Sequence, residues 1–164
     1  MGKVDIRLIK PDDNQAVKDL VLETLAEFGL FGAGFAGVDT ELEDMFSSYN
    51  NDLSAYYVVE QNNQVLGAAG YAPLIGTEPG TIAELRKMYL LPTLRGLGVG
   101  QKLIEICMTA AKEKKYQSMY LETVNEMQTA IKLYKRNGFF CLQNRLGNTG
   151  HDNCGVTMQK VFND

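Results

Sequence analysis

One histidine and three cysteines stand in 164 residues, and no two cysteines form a CxxC pair. That scarcity excludes several classes of protein. His151 alone supplies no metal cluster, and no Cys/His spacing fits zinc, so no metal is expected. An odd set of cysteines points to free thiols in a reducing compartment, and the expected location is cytoplasmic. No apolar run approaches the ~20 residues that a membrane-spanning helix needs. The opening Met1-Gly2-Lys3-Val4-Asp5-Ile6 lacks the apolar core of a signal peptide, and residue 6 is not the Ser or Thr of a myristoylation site. No membrane partner is therefore expected. Positive charge is also short, with 16 Lys and Arg against 20 Asp and Glu. No basic stripe marks a nucleic-acid footprint, and the acidic balance suits a cationic or amine partner.

What is present reads as one globular domain spanning residues 1–164. Hydrophobic residues at 45% and charged residues at 22% argue against disorder. Asp5 to Lys10 alternates as a first strand. Pro11-Asp12-Asp13 starts a helix whose buried face is Val17, Leu20, Val21, Thr24 and Phe28. An apolar loop with Gly29, Gly32, Gly34 and Gly37 follows. Thr40 and Glu43 read as a capping box for a second helix with Leu42, Met45, Phe46 and Tyr49 on one face. Ala55 to Glu60 and Val65 to Tyr71 form a hairpin about the turn at 61–64. Ile82 to Leu91 is a long strand stopped by Pro92. A helix from about Gly98 to Lys114 buries Val99, Leu103, Ile106, Cys107 and Ala110. Met119 to Thr123 is a strand. Met127, Ala130, Ile131 and Tyr134 define a last helix, capped at Asn137-Gly138. Phe139 to Leu142 and Val156 to Phe162 close the chain as strands. This order predicts an α/β sandwich with a mixed sheet.

The strongest local signal is Arg95-Gly96-Leu97-Gly98-Val99-Gly100, between a strand and an amphipathic helix. A helix start leaves up to four N–H groups free and favours negative charge. Glycines let a phosphate approach the backbone, and Arg95 adds a cationic fork. A Walker loop is absent, and the alternating glycines do not fit a Rossmann turn.

Arg95-x-x-Gly98-x-Gly100 resembles the pyrophosphate loop of the GNAT superfamily of N-acetyltransferases, written Gln/Arg-x-x-Gly-x-Gly/Ala. Met88-x-Leu90-x-Pro92 matches the preceding strand end. Ala130-x-x-Leu133-Tyr134-x-x-x-Gly138-Phe139 is similar to the family's second motif. The resemblance implies a mixed, mostly antiparallel sheet of about seven strands flanked by about four helices. It implies acetyl-CoA as acetyl donor, with pantetheine along the backbone of Met88 and Leu90 and pyrophosphate on Arg95, Gly96, Leu97, Gly98, Val99 and Gly100. The family often carries Asn where Met127 stands, so Asn125 is the alternative cofactor contact.

Direct transfer to an amine needs a base, an oxyanion donor and a proton donor for the thiolate. The resemblance assigns the last role to Tyr134. Glu84 and Glu122 compete as base, singly or together through ordered water, and neither is also an open alternative. A strand carboxylate near an apolar cleft titrates high, which suits a base. Phe31 and Phe35, on the glycine-rich loop, and His151, on the loop before the last strand, are the expected acceptor contacts. The acceptor is read as a small-molecule amine, with a protein N-terminus or lysine as alternative. A non-catalytic CoA-binding sensory module is the remaining alternative. Family members commonly pair, so a homodimer is expected as possible.

Overall fold

A computed structural model describes residues 2–163. Seven strands form one sheet: β1 (Asp5–Leu8), β2 (Ala55–Gln61), β3 (Gln64–Pro73), β4 (Ile82–Leu90), β5 (Ser118–Thr123), β6 (Phe140–Cys141) and β7 (Val156–Val161). Their spatial order is β1-β2-β3-β4-β5-β7-β6. Neighbours are antiparallel except β4 and β5. Four helices cover the two faces: α1 (Asn14–Glu27), α2 (Met45–Tyr49), α3 (Val99–Glu113) and α4 (Gln128–Arg136). The mixed, mostly antiparallel sheet with four helices is the architecture that the sequence implied.

Alternation along the strands divides the core. Tyr56 and Val58 of β2, with Ala68 and Ala72 of β3, join Val17, Leu20 and Val21 of α1 and Met45 of α2. Val59, Ala69 and Tyr71 point to the other face, against Leu103, Ile104 and Cys107 of α3. The β2–β3 turn needs left-handed backbone at Asn62 (φ 52°) and Asn63 (φ 60°), which asparagine tolerates better than most residues.

Three local expectations shift. Residues 40–43 form a short 3₁₀ turn instead of a capping box, and α2 is capped by Asp44, whose side chain accepts from the Ser47 N–H at 3.0 Å. The buried face of α3 comprises Val99, Leu103, Ile104, Cys107, Met108 and Ala111. Ile106 and Ala110 lie at its flank, because the helix beds on the sheet along paired i, i+4 rows. β6 is only two residues long, Phe140 and Cys141 opposite Gln159 and Met158 of β7.

β4 carries the feature that organises the rest. Ala83 and Leu85 face α3, and so do Met88 and Leu90. Period-two alternation must slip between them, and it does so by a β-bulge. Ala68 pairs with Tyr89 and Gly70 with Arg86, so Ala69 opposes both Lys87 and Met88. Lys87 takes the left-handed conformation at φ 46°, a costly one for a residue with a side chain. The buried Tyr56 hydroxyl donates to the Lys87 carbonyl at 2.7 Å. Arg86 and Lys87 can thus both reach the α1–α2 face. Replacing Tyr56 by Phe leaves that carbonyl without its donor, at an expected cost of about 1–3 kcal/mol. Urea denaturation measures the loss, and an unchanged midpoint would contradict this role.

Candidate active site

β4 and β5 pair only through Ile82, Ala83 and Glu84 opposite Ser118, Met119 and Tyr120. Beyond Glu84 the strands part, so β4 has no strand partner on that side from Leu85 to Leu90. The parting opens a cleft of about 450 Å³, walled by Met88, Leu90, Gly96, Gly98 and Gly100 on one side and by α4 on the other. Gly98 caps α3 in the left-handed region at φ 79°. A Cβ built on Gly96 or Gly98 would meet nothing within 4 Å. A β-carbon at Gly100 would come within 3.1 Å of Leu133. The result is an open backbone cradle at the start of a fifteen-residue helix, fitted to an anionic group by free N–H donors and dipole.

The loop residues divide by role. Gly96, Gly98 and Gly100 line the cleft; Leu97 is exposed, and the Val99 side chain is buried in the core. Val99 can therefore offer only its backbone. Arg95 lines the cleft, but Glu27 holds its guanidinium with two bonds of 2.6 and 2.7 Å. Its Nε donates to the Leu90 carbonyl at 2.9 Å. Asn125 borders neither cavity; its carbonyl accepts from Gln128 Nε2.

A second cavity, of about 60 Å³, lies on the α1 side of the parted strands. The two cavities share Met88, Tyr89, Met127 and Tyr134. Tyr134 is buried, and burial pushes its phenol above the ordinary tyrosine range. No protein group among the described residues hydrogen-bonds its hydroxyl. The side chain therefore stays protonated and has a proton to donate where the cavities meet.

Glu84, Glu122 and His151 all line the smaller cavity. Glu84 Oε1 accepts from Arg86 Nε at 2.5 Å. Burial raises the Glu84 carboxyl above its ordinary value, the Arg86 charge opposes this, and Glu122 adds to it. No protein donor among the described residues reaches Glu84 Oε2. Glu122 is more fully engaged. Its carboxylate accepts from Tyr120 Oη at 2.8 Å, Arg145 Nη1 at 2.7 Å and Thr149 Oγ1. Phe35 lines the cavity, whereas Phe31 is exposed and lies outside its lining.

His151 Nε2 lies 2.9 Å from Asp39 Oδ1. Asp39 also accepts from Lys87 Nζ at 2.6 Å, and Lys87 donates to Glu41 as well. These contacts fasten the α1–α2 connection to β4 and to the β6–β7 loop over the cavity. The Asp39 bond raises the His151 imidazole pKa, against burial and Lys87. For Asp39, burial acts upward, but His151 and Lys87 hold the carboxyl below its ordinary value. Cys154 also lines this cavity, and burial pushes its thiol up to about 11. That makes it a poor nucleophile.

The ligand atoms of Glu84, Glu122 and His151 fall within 4.8 Å of one another, the one such set among the described residues. Linear spacing gave no hint of it. A divalent ion there would stand beside Arg86 and Arg145, which already hold the two carboxylates. Asp39, Glu41, Arg86, Lys87 and Arg145 escaped the sequence reading. The one readable clue was the phase slip from Ala83 and Leu85 to Met88 and Leu90, which flags the bulge at Lys87.

A parted parallel strand pair above a glycine-built helix start defines a CoA-dependent acyl transferase. Residues 21–139 match the model of the Acetyltransferase (GNAT) family. The uncharacterized N-acetyltransferase YjgM of Escherichia coli (strain K12) is 38% identical over 154 residues, 93% of this chain and 92% of that one. The IAA acetyltransferase of Azospirillum brasilense is 27% identical over 145 residues, 88% of this chain and 92% of the relative. In fold, an acetyltransferase from Streptococcus agalactiae 2603 superposes with a TM-score of 0.84 at 17% identity, over 97% of this chain and 98% of that one. The PaiA N-acetyltransferase of Thermoplasma acidophilum, solved with coenzyme A, gives 0.71 at 14% identity, over 98% and 99%. The chain belongs to the GNAT family of acetyl-CoA-dependent N-acetyltransferases. Among the described residues, no helix is long and apolar enough to cross a membrane.

The raised imidazole makes a signed prediction. A His whose folded pKa exceeds its unfolded value of about 6.5 stabilises fully below that value and loses the contribution as pH rises through the folded one. Wild type should therefore exceed His151→Gln by on the order of 1 kcal/mol near pH 6, and the gap should close toward pH 9. Urea melts across that range check it; a gap that widens with pH would contradict the pairing.

Proposed function

We propose that the chain moves acetyl from acetyl-CoA directly to the amine of a small molecule held in the cavity beneath the α1–α2 connection. The single observation that carries this reading is the meeting of the two cavities at Met88, Tyr89, Met127 and Tyr134. The larger cleft fits the donor, and the smaller cavity fits the acceptor. Acetyl-CoA supplies the thioester. The free β4 edge aligns the pantetheine arm as an added strand would, and the Gly96–Gly100 backbone takes the pyrophosphate. The acceptor cavity is roofed by two loops tied together, which favours a small molecule over a folded protein's terminus or lysine.

Glu84 is the better base. It lines the cavity with no described protein donor on Oε2, and its raised pKa narrows the gap to an ammonium. Glu122, saturated by Tyr120, Arg145 and Thr149, acts as a positioning residue for that loop. A backbone N–H near Met88 meets the charge that develops on the carbonyl oxygen. The Tyr134 hydroxyl protonates the departing thiolate.

Release of free CoA against an amine panel tests the reading. Tyr134→Phe and Glu84→Gln should each lower kcat by about 10²–10⁴-fold with the KM for acetyl-CoA little changed. Full activity in Glu84→Gln would remove the base assignment. Gly98→Val places a branched side chain at a left-handed position facing the cleft and should weaken CoA affinity by about tenfold or more. Unaltered CoA binding by calorimetry would dismiss the backbone cradle.

A further inference from the structure

The charges around the acceptor cavity are unequal in number, and each cation is already paired with a carboxylate. Asp39, Glu41, Glu84 and Glu122 supply carboxylates, while Arg86, Lys87 and Arg145 supply fixed cations. Arg86 reaches Glu84 at 2.5 Å and Glu41 at 3.5 Å. Its remaining nitrogen donates to the Pro73 carbonyl at 3.0 Å. Lys87, whose side chain is 2% exposed, holds Asp39 and Glu41. Arg145 holds Glu122 and the carbonyls of His151 and Cys154. No cation here is left to receive an anion. The cluster is instead one positive charge short, and burial makes such a deficit costly. A proton on His151 or Glu84 makes it good in the resting protein, and an ammonium entering between them can take over that role.

Much of the remaining lining is apolar: Leu25 of α1 and the following Leu30, Phe35 and Ala36 contribute to it. The space is small, about 60 Å³, which favours a slender body over a bulky one.

Resting on the acetyl-transfer reading above, we infer that the acceptor is a small primary amine with an apolar body and no carboxylate. Its ammonium sits among Glu84, Glu122 and His151, and its hydrocarbon part lies against the α1 side. A free amino acid would bring its carboxylate beside three others, with every nearby cation already paired. The geometry therefore selects decarboxylated amines over their parent amino acids.

Matched acceptors test this with the whole protein and acetyl-CoA. We compare isobutylamine with valine and valinamide, and 3-methylbutylamine with leucine and leucinamide, reading CoA release. Each amine should exceed its amino acid in kcat/KM by about 100-fold or more, with the amide losing no more than about tenfold. Glu41→Gln weakens the hold on Arg86 and Lys87 and should raise the leucine-to-3-methylbutylamine ratio by about tenfold. Amino acids used as well as amines, amides excluded as strongly as acids, transfer to peptides alone, or a ratio unmoved in Glu41→Gln would each overturn the inference. CoA that binds but is never released from acetyl-CoA by any amine or peptide would sink the underlying transfer reading, and this inference with it.

Discussion

The left-handed turn of the backbone at Lys87 is the constraint on which the site depends. A strand in even alternation would send residue 87 toward α3, into an apolar core. The bulge instead frees Lys87 to reach Asp39 and Glu41, while Met88 and Leu90 resume the α3 face. The cost of φ 46° is borne because the Tyr56 hydroxyl and two carboxylates hold the residue from several directions. One residue thus re-aims the strand beside the cleft and anchors the loop that roofs the acceptor cavity.

The two halves of the site use different physics. The donor cleft is built mostly of backbone: an unpaired strand edge, a helix start and three glycines. Such recognition needs few particular side chains. The acceptor cavity is built of side chains, and its character rests on Asp39, Glu41, Arg86, Lys87, Arg145 and His151. Buried ion pairs of this kind add little net stability. In the proposed reading their effect is to orient Glu84 and to set which charges the cavity accepts.

The same division explains Arg95. Its place in the glycine loop suggests a direct arm for the phosphates, yet Glu27 takes its guanidinium in two bonds and Phe28 lies beneath it at 5.8 Å. The arginine fastens the end of α1 to the donor loop. Arg95 and Lys87 thereby tie the α1 region to β4 and its following loop from two points, one beside each cavity.

Much of the fold was legible in the chain itself. Hydrophobic period distinguished helices from strands, the turn residues bounded them, and the glycine loop with the Ala130–Phe139 motif pointed to the family. Those signals are local, set within one or two turns of a helix or a few strand positions. Tyr134 was visible because it lies on a motif, Glu84 and Glu122 because they are carboxylates on strands beside the expected cleft, and His151 because it is the one histidine in the chain. Their convergence was not, because Asp39 and His151 are 112 positions apart, and the parting of β4 from β5, the roof and the committed cations exist only when distant segments pack. Residue chemistry pointed to an anion cradle and motif resemblance to the kind of reaction; tertiary structure alone decided which carboxylate keeps a free oxygen and which cations are already engaged, since pairing depends on distances that linear order does not contain.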